Sequence, residues 1–208
     1  MLNIAVLVSG GGTNLQALID AQTRGELVNG HIACVVSSNP DAFALTRAKN
    51  AGIPGEVLLR KNYPSAEAYD DALLELLDQY RTDLIVLAGF MTIIRESVVK
   101  RYSGRIINIH PALIPSFCGK GFYGLHVHEA ALERGVKLTG ATVHFVNEVC
   151  DGGPIILQKA VAVLPDDTPE VLQRRVMEEA EWKLLPKAVS LFCEGRLCVQ
   201  GNTVQILD

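Results

Sequence analysis

The feature that most narrows the fold is a rhythm of short apolar runs. Asn3–Val8, Ile32–Ser37, Glu56–Leu59, Leu84–Ala88 and Arg105–Ile109 are rich in Val, Ile and Leu, and stretches of helical spacing separate them. Strands that are apolar on both faces belong to parallel sheets covered by helices on each side. Between the runs, Leu15, Leu18 and Ile19 fall at i, i+3, i+4, and Leu73, Leu76, Leu77 and Tyr80 repeat that spacing within Ala66–Tyr80. The β-α-β-α order predicts right-handed crossovers and an α/β, doubly wound, mostly parallel Rossmann-like sheet with helices on both faces.

The second half departs from that rhythm. Lys137–Asn147 alternates apolar and polar residues, and Pro154–Val163 follows a turn at Asp151-Gly152-Gly153. These predict added strands, at least one antiparallel. Thr168-Pro169-Glu170 reads as a helix start, a hydroxyl cap followed by proline at the first helical position. That helix is expected to run through Val171, Leu172, Val176 and Leu184, with Pro186 kinking or breaking it. Gly201-Asn202 between Leu197–Gln200 and Thr203–Leu207 predicts a terminal hairpin. No repeat, low-complexity stretch or linker interrupts the pattern, so residues 1–208 are expected to form one domain.

Composition removes several function classes. The chain of 208 residues carries 19 Lys and Arg against 23 Asp and Glu, a net charge of −4. Nucleic-acid and membrane-surface binders normally show a basic excess, so neither partner is expected; an anionic small substrate held by a few local groups is still allowed. The five cysteines, Cys34, Cys118, Cys150, Cys193 and Cys198, form no C-x-x-C pair, so neither a zinc site nor a redox motif is indicated. Reduced thiols, the lack of a basic leader before the apolar Met1–Ser9, and the lack of any apolar run of membrane-spanning length point to a cytoplasmic protein.

Two local patterns carry chemistry. The first strand runs into Ser9-Gly10-Gly11-Gly12-Thr13-Asn14-Leu15, with a helix expected from about Asn14. Glycines allow positive φ and close approach of a ligand to the main chain, and the free N–H groups of a helix start favour an anion. No Lys-Ser or Lys-Thr follows, which excludes an NTPase P-loop. Leu15 occupies the third glycine position of a dinucleotide fingerprint, and Ser37-Ser38-Asn39-Pro40 offers no acid for a ribose diol, which disfavours a nicotinamide enzyme. A phosphomonoester on a smaller substrate fits. In the second pattern, Asn108-Ile109-His110-Pro111, the amide and the imidazole are two residues apart and share one strand face. Pro111 ends ladder donation there, at the sheet edge where open α/β folds bind ligands. An amide donor beside an imidazole suits the oxyanion of a tetrahedral intermediate. Asp151 is by its position a turn-former, and sequence spacing alone gives it no further role.

These residues, in this order, resemble the phosphoribosylglycinamide formyltransferase family nearly end to end. The likeness includes Ser9–Gln16, Leu87-Ala88-Gly89-Phe90-Met91, Asn108–Pro111, His144-Phe145-Val146 and Asp151–Gln158. The resemblance implies transfer of the formyl group of 10-formyltetrahydrofolate to the amine of N1-(5-phospho-D-ribosyl)glycinamide in purine (IMP) biosynthesis. The amine would attack directly, through a tetrahedral oxyanion intermediate. It implies that Asn108 and His110 stabilise the oxyanion and that Asp151 orients His110 and assists proton transfer through water. It further implies that Gly11, Gly12, Thr13 and Asn14 hold the phosphate and Glu181 the ribose hydroxyls. Gly89, Phe90, Met91, Thr92, Ile93 and Ile94, with Asn108, would line the folate site. The folate is a co-substrate and no metal is implied; the partners would be these two small molecules, the chain a monomer or homodimer.

Three departures bear on that transfer. Thr92 and Ala66 stand where family members often carry arginines toward the folate tail. Ser116–Leu125 is longer than the shortest family loops and is expected to act as a lid over the Asn-His strand. The helix around Glu181 holds one extra residue, so Glu178 and Glu179 compete with Glu181 for its place, with a solvated face expected for the first two. His126 and His128 read as near-site or structural, His144 as packed beneath His110, Tyr102 and Trp182 as core or rim, and Arg95, Lys100, Arg101 and Arg105 as a solvated helix face. The alternatives are a sugar-nucleotide N-formyltransferase, a formyltetrahydrofolate hydrolase, which usually adds an N-terminal regulatory domain, and a methionyl-tRNA formyltransferase, which adds a basic C-terminal domain. A non-enzymatic folate-binding module would have no need of Asn108, His110 and Asp151 together.

Overall fold

Alternation within the apolar runs divides the core between two faces of one sheet. In strand β1 (Leu2–Val8), Ile4, Val6 and Val8 enter one hydrophobic cluster while Ala5 and Leu7 enter the other, as a period of two requires. The computed structural model describes residues 1–208, and its strands form a single nine-stranded sheet. The elements that build the first half are α1 (Thr13–Thr23), β2 (Gly30–Ser37), α2 (Phe43–Asn50), β3 (Gly55–Val57), α3 (Ala66–Gln79), β4 (Leu84–Leu87), α4 (Glu96–Arg101) and β5 (Ile106–His110). The second half adds α5 (Leu125–Arg134), β6 (Leu138–Phe145), β7 (Ile155–Ala162), α6 (Pro169–Val176), a π turn (Met177–Glu181), α7 (Trp182–Cys193), β8 (Leu197–Gln200) and β9 (Thr203–Ile206).

The strand order is β3-β2-β1-β4-β5-β6-β7-β9-β8. Strands β1 to β5 pair in parallel, whereas β6 is antiparallel to both β5 and β7. Helices cover both faces: Leu15 and Leu18 of α1 and Leu184 and Leu185 of α7 share the larger cluster, while Leu73 and Leu77 of α3 and Val98 of α4 fill the smaller one. Leu77 is fully buried; truncating such a residue to Ala costs about 2–5 kcal/mol. The chain winds from β1 out through β2 to β3 and then crosses back to β4 on the other side of β1, so the carboxyl ends of β1 and β4 flank a topological switch point, the crevice where such sheets bind ligands.

The expected elements are present, with shifted ends. Strand β5 runs one residue further than expected and takes in His110, and β3 starts and ends earlier. Ser65 caps α3 by accepting from Ala68 N–H at 3.1 Å, and Thr168 caps α6 by accepting from Val171 N–H at 3.3 Å. One expectation is corrected. Pro186 lies buried inside α7 without breaking it, and the irregularity falls upstream at Met177–Glu181. That π turn widens the helix by one residue before α7 begins, so the ladder is re-registered ahead of the missing proline N–H. Val171 is exposed, because α6 turns only Leu172 and Val176 inward, one turn apart. No helix is long and apolar enough to cross a membrane.

Candidate active site

The period of β5 sets Asn108 and His110 side by side, and β6 supplies a third group. Asn108 lies opposite His144 in the antiparallel register, and His110 lies opposite Thr142. His144 therefore stands beside Asn108, and the expectation that it packs beneath His110 is corrected: an antiparallel pair sets residues directly across from each other. Its Nδ1 lies 2.8 Å from the Phe145 carbonyl oxygen, which requires a proton on Nδ1. With the proton on Nδ1, Nε2 is placed to accept from the Asn108 amide, at 3.1 Å.

Asp151 closes the arrangement from the turn before β7, with φ of 54°. Asp is among the few side chains that tolerate this left-handed backbone. Its carboxylate lies between the two imidazoles, Oδ2 at 3.7 Å from His110 Nδ1 and Oδ1 at 3.6 Å from His144 Nε2. Oδ2 also accepts from Gly119 N–H at 2.8 Å, and Oδ1 lies 3.5 Å from the Asn108 amide nitrogen. The turn is anchored by Gly153, where an added Cβ would sit 1.8 Å from the Phe145 carbonyl oxygen.

Burial sets the charge state of these groups. It lowers the His110 pKa, with Asp151 and the Phe117 carbonyl opposing, so the ring is neutral at pH 7. For Asp151, burial would raise the pKa, but the adjoining His144 ring, the hydrogen bond from Gly119 N–H and the nearby His110 ring more than offset it and hold the group ionised. His110 Nε2 lies 2.8 Å from the Phe117 carbonyl oxygen, which fixes its proton there. Sequence reading had no signal for Phe117 or Gly119, since both act through the main chain. Both belong to the 116–125 segment, which sits over the site. His128, fully buried with neither ring nitrogen partnered, is held down to about 4 by burial and the nearby His110. His126 pairs instead with Glu129 at 2.9 Å on the surface.

The glycine turn occupies the other side of the crevice. No protein acceptor is bonded by the N–H groups of Gly11, Gly12, Thr13, Asn14 or Leu15, the first intrahelical bond running from Gln16 N–H to the Gly12 carbonyl at 2.9 Å. Gly12 has φ of 70°, and an added Cβ would meet the Ala44 Cβ at 2.6 Å, so side chains are excluded on two grounds. Asn14 contributes only its N–H to this turn. Its side chain donates to Glu181 Oε2 at 2.5 Å across the interior, and Glu181 is 4% exposed. Burial pushes the Glu181 carboxyl up to about 7, against the Asn14 hydrogen bond. Glu178 pairs with Arg174 at the surface and Glu179 is exposed, so the π turn directs only Glu181 inward.

Between the two sides runs the segment after β4. Gly89 has φ of 76°, and no main-chain partner binds any N–H or C=O group from Gly89 to Ile94. Met91 N–H donates to Ser9 Oγ at 2.8 Å, linking this segment to the glycine turn. Met91 and Ile93 are exposed, whereas Phe90 and Ile94 pack on the smaller core. Neither Thr92 nor Ala66 brings a charge here; the nearby cation is Arg95, 2.7 Å from Glu67. The other residues of that basic stretch are solvated or paired at the surface, as expected, while Tyr102 is core. No group of three or more His, Cys, Asp or Glu is arranged to hold a metal ion.

Comparison with known proteins gives this geometry its relatives. A family model described as formyl transferase matches residues 2–189. The phosphoribosylglycinamide formyltransferase of Haemophilus influenzae is 45% identical over 202 residues, covering 97% of this chain and 92% of the relative. A crystal structure of glycinamide ribonucleotide transformylase 1 from Symbiobacterium toebii, 47% identical, superposes with a TM-score of 0.94 and covers 100% of this chain and 95% of that one. A formyltetrahydrofolate deformylase from Pseudomonas syringae superposes at 0.89 with 28% identity, this chain being covered in full and that one to 66%.

Proposed function

Because the chain belongs to the formyl transferase family, we infer that it transfers the formyl group of 10-formyltetrahydrofolate to the amine of N1-(5-phospho-D-ribosyl)glycinamide, a step of purine biosynthesis. The observation that carries the reading is the Asn108–His110–Asp151 cluster beside a turn of unpartnered N–H groups. It is the juxtaposition needed to hold a phosphorylated acceptor while an oxyanion forms next to it. Relatives named for this transfer share about 45% identity with the chain, against 28% for the deformylase, which favours transfer over hydrolysis.

The residues divide the work as follows. Gly11, Gly12, Thr13 and Asn14 bind the phosphate through main-chain N–H groups, and Glu181 takes the ribose hydroxyls. Gly89–Ile94 suits a flat ring with a hydrogen-bonding edge: the free main-chain groups meet the edge, and Met91 and Ile93 lie along its face. The neutral amine attacks the formyl carbon. His110, protonated on Nε2, and Asn108 donate to the oxygen as it gains charge. Asp151 orients the imidazole and, through a water, directs the amine proton to the folate nitrogen as the bond between that nitrogen and the formyl carbon breaks. The Phe117 carbonyl now accepts the Nε2–H that the formyl oxygen needs, so the 116–125 segment gives up this bond when substrate enters. The chain acts as one domain on small molecules, in the cytoplasm, as a monomer or homodimer.

The test is to mix the protein with 10-formyltetrahydrofolate and the ribonucleotide and to follow formyl loss optically. Turnover that requires the ribonucleotide and vanishes in Asn108→Ala supports the reading. Formyl loss without the ribonucleotide supports hydrolysis, and folate binding without reaction sends the search to other amines.

A further inference from the structure

The glycine turn is restrained from behind. Its successive carbonyls are each tied on the side away from the open N–H groups: Gly10 accepts from Ala44 N–H at 3.1 Å, Gly11 from Arg47 Nε at 2.8 Å, and Gly12 from Gln16 N–H at 2.9 Å. In a trans peptide the carbonyl and the following N–H point in opposite directions. Each tie therefore aims the next N–H, those of Gly11, Gly12 and Thr13, toward the crevice. Two ties are main-chain bonds inherent in the fold. The middle one depends on a side chain, and it acts where the backbone has most freedom. Around Gly10 and Gly11 a Cβ would meet nothing within 4 Å, so on its Gly11 side packing leaves the Gly11–Gly12 peptide unrestrained, whereas Gly12 packs against Ala44.

Arg47 is itself held in place. Its Nη1 donates to Gln16 Oε1 at 2.9 Å, and its guanidinium carbon lies 5.0 Å from the centre of the Phe43 ring. No carboxylate pairs with it, so its charge is uncompensated directly behind a turn that has no basic residue of its own. A cation bonded to a peptide oxygen also polarises that peptide, strengthening the opposite N–H as a donor to an anion.

We propose that Arg47 is a positioning residue for the phosphate subsite, locking the Gly11–Gly12 peptide with its N–H toward the phosphate and adding positive charge behind it. The proposal rests on the phosphate reading of the glycine turn. Arg47→Met keeps a stem against Phe43 while removing charge and donor; Arg47→Lys keeps both. Steady-state kinetics with the ribonucleotide and with its dephosphorylated riboside, together with inhibition by inorganic phosphate, separate the roles. Arg47→Met is expected to raise the ribonucleotide KM and the phosphate inhibition constant at least tenfold. Its kcat, its KM for the formyl folate and its kcat/KM for the riboside should stay within twofold of the parent. Arg47→Lys should recover the ribonucleotide KM to within about threefold. Unchanged phosphate inhibition in Arg47→Met, equal losses on ribonucleotide and riboside, or a Lys variant as poor as Met each overturn the role of Arg47. Should the unmodified protein itself treat ribonucleotide and riboside alike and ignore inorganic phosphate, the phosphate reading fails and the proposal fails with it.

Discussion

The two sides of the crevice are built from different materials. On the β5–β6 side the working groups are side chains, Asn108, His110, His144 and Asp151, joined to one another at 3.1–3.7 Å. On the glycine side they are main-chain N–H groups backed by one buried carboxylate. The difference teaches where each is vulnerable. A side-chain cluster loses its chemistry when one member is truncated. A main-chain nest loses its shape only when the backbone is forced to move or its supports are removed.

The comparison can be broken most directly at His110. His110→Ala is expected to lower kcat by about 10²–10³-fold, the scale of a lost oxyanion donor, while ribonucleotide binding stays within a few-fold. Equal losses of rate and binding would mean that the two sides are not separate in function. Asp151→Asn should keep the fold and cost about 10²-fold in rate, as for one acid–base group. Near-normal turnover would return Asp151 to a turn-forming role. Gly12→Ala tests the other side. With its Cβ forced against Ala44 at positive φ, ribonucleotide KM should rise at least about tenfold with a smaller change in kcat, together with a loss of about 1–3 kcal/mol in stability.

Glu181→Gln sharpens the comparison through pH. The folded carboxyl titrates near 7, above its ordinary value of 4.5, because it is buried. Its contribution to stability is therefore full below about pH 4.5 and is lost as pH rises through about 7, a difference on the order of 3 kcal/mol. Gln carries no charge, so the variant should match the parent in acid and exceed it in stability at pH 8. Denaturant unfolding of both proteins at pH 5 and pH 8 checks this, and parallel curves would show that Glu181 does not ionise inside the fold.

Legibility followed the range of the interaction. The Asn108 and His110 pairing on one face was readable because a strand's period is local, as was the glycine turn at the first β-to-α junction. A π turn, Met177–Glu181, lies in the stretch where the resemblance placed one extra residue. Pro186 was misread because a proline's ring and missing N–H set only a local preference, which the burial of Pro186 within α7 overrides.

The sequence by itself determined the alternation of strands and helices, the two apolar faces of each parallel strand, the amide–imidazole pair and the glycine turn. Each is written in residues a few positions apart, where dihedral preference and side-chain period act. Only the tertiary structure decided that His144 stands opposite Asn108, that Asp151 lies between two imidazoles, that Phe117 covers His110, that Asn14 bonds Glu181 and that Arg47 grips Gly11. Most of these partners are tens of residues apart in sequence, and even the closest, Phe117 and His110, meet through a main-chain carbonyl. The register of β5 on β6, the π turn ahead of α7 and the packing of α2 against the turn bring them together, and no local pattern encodes such distances.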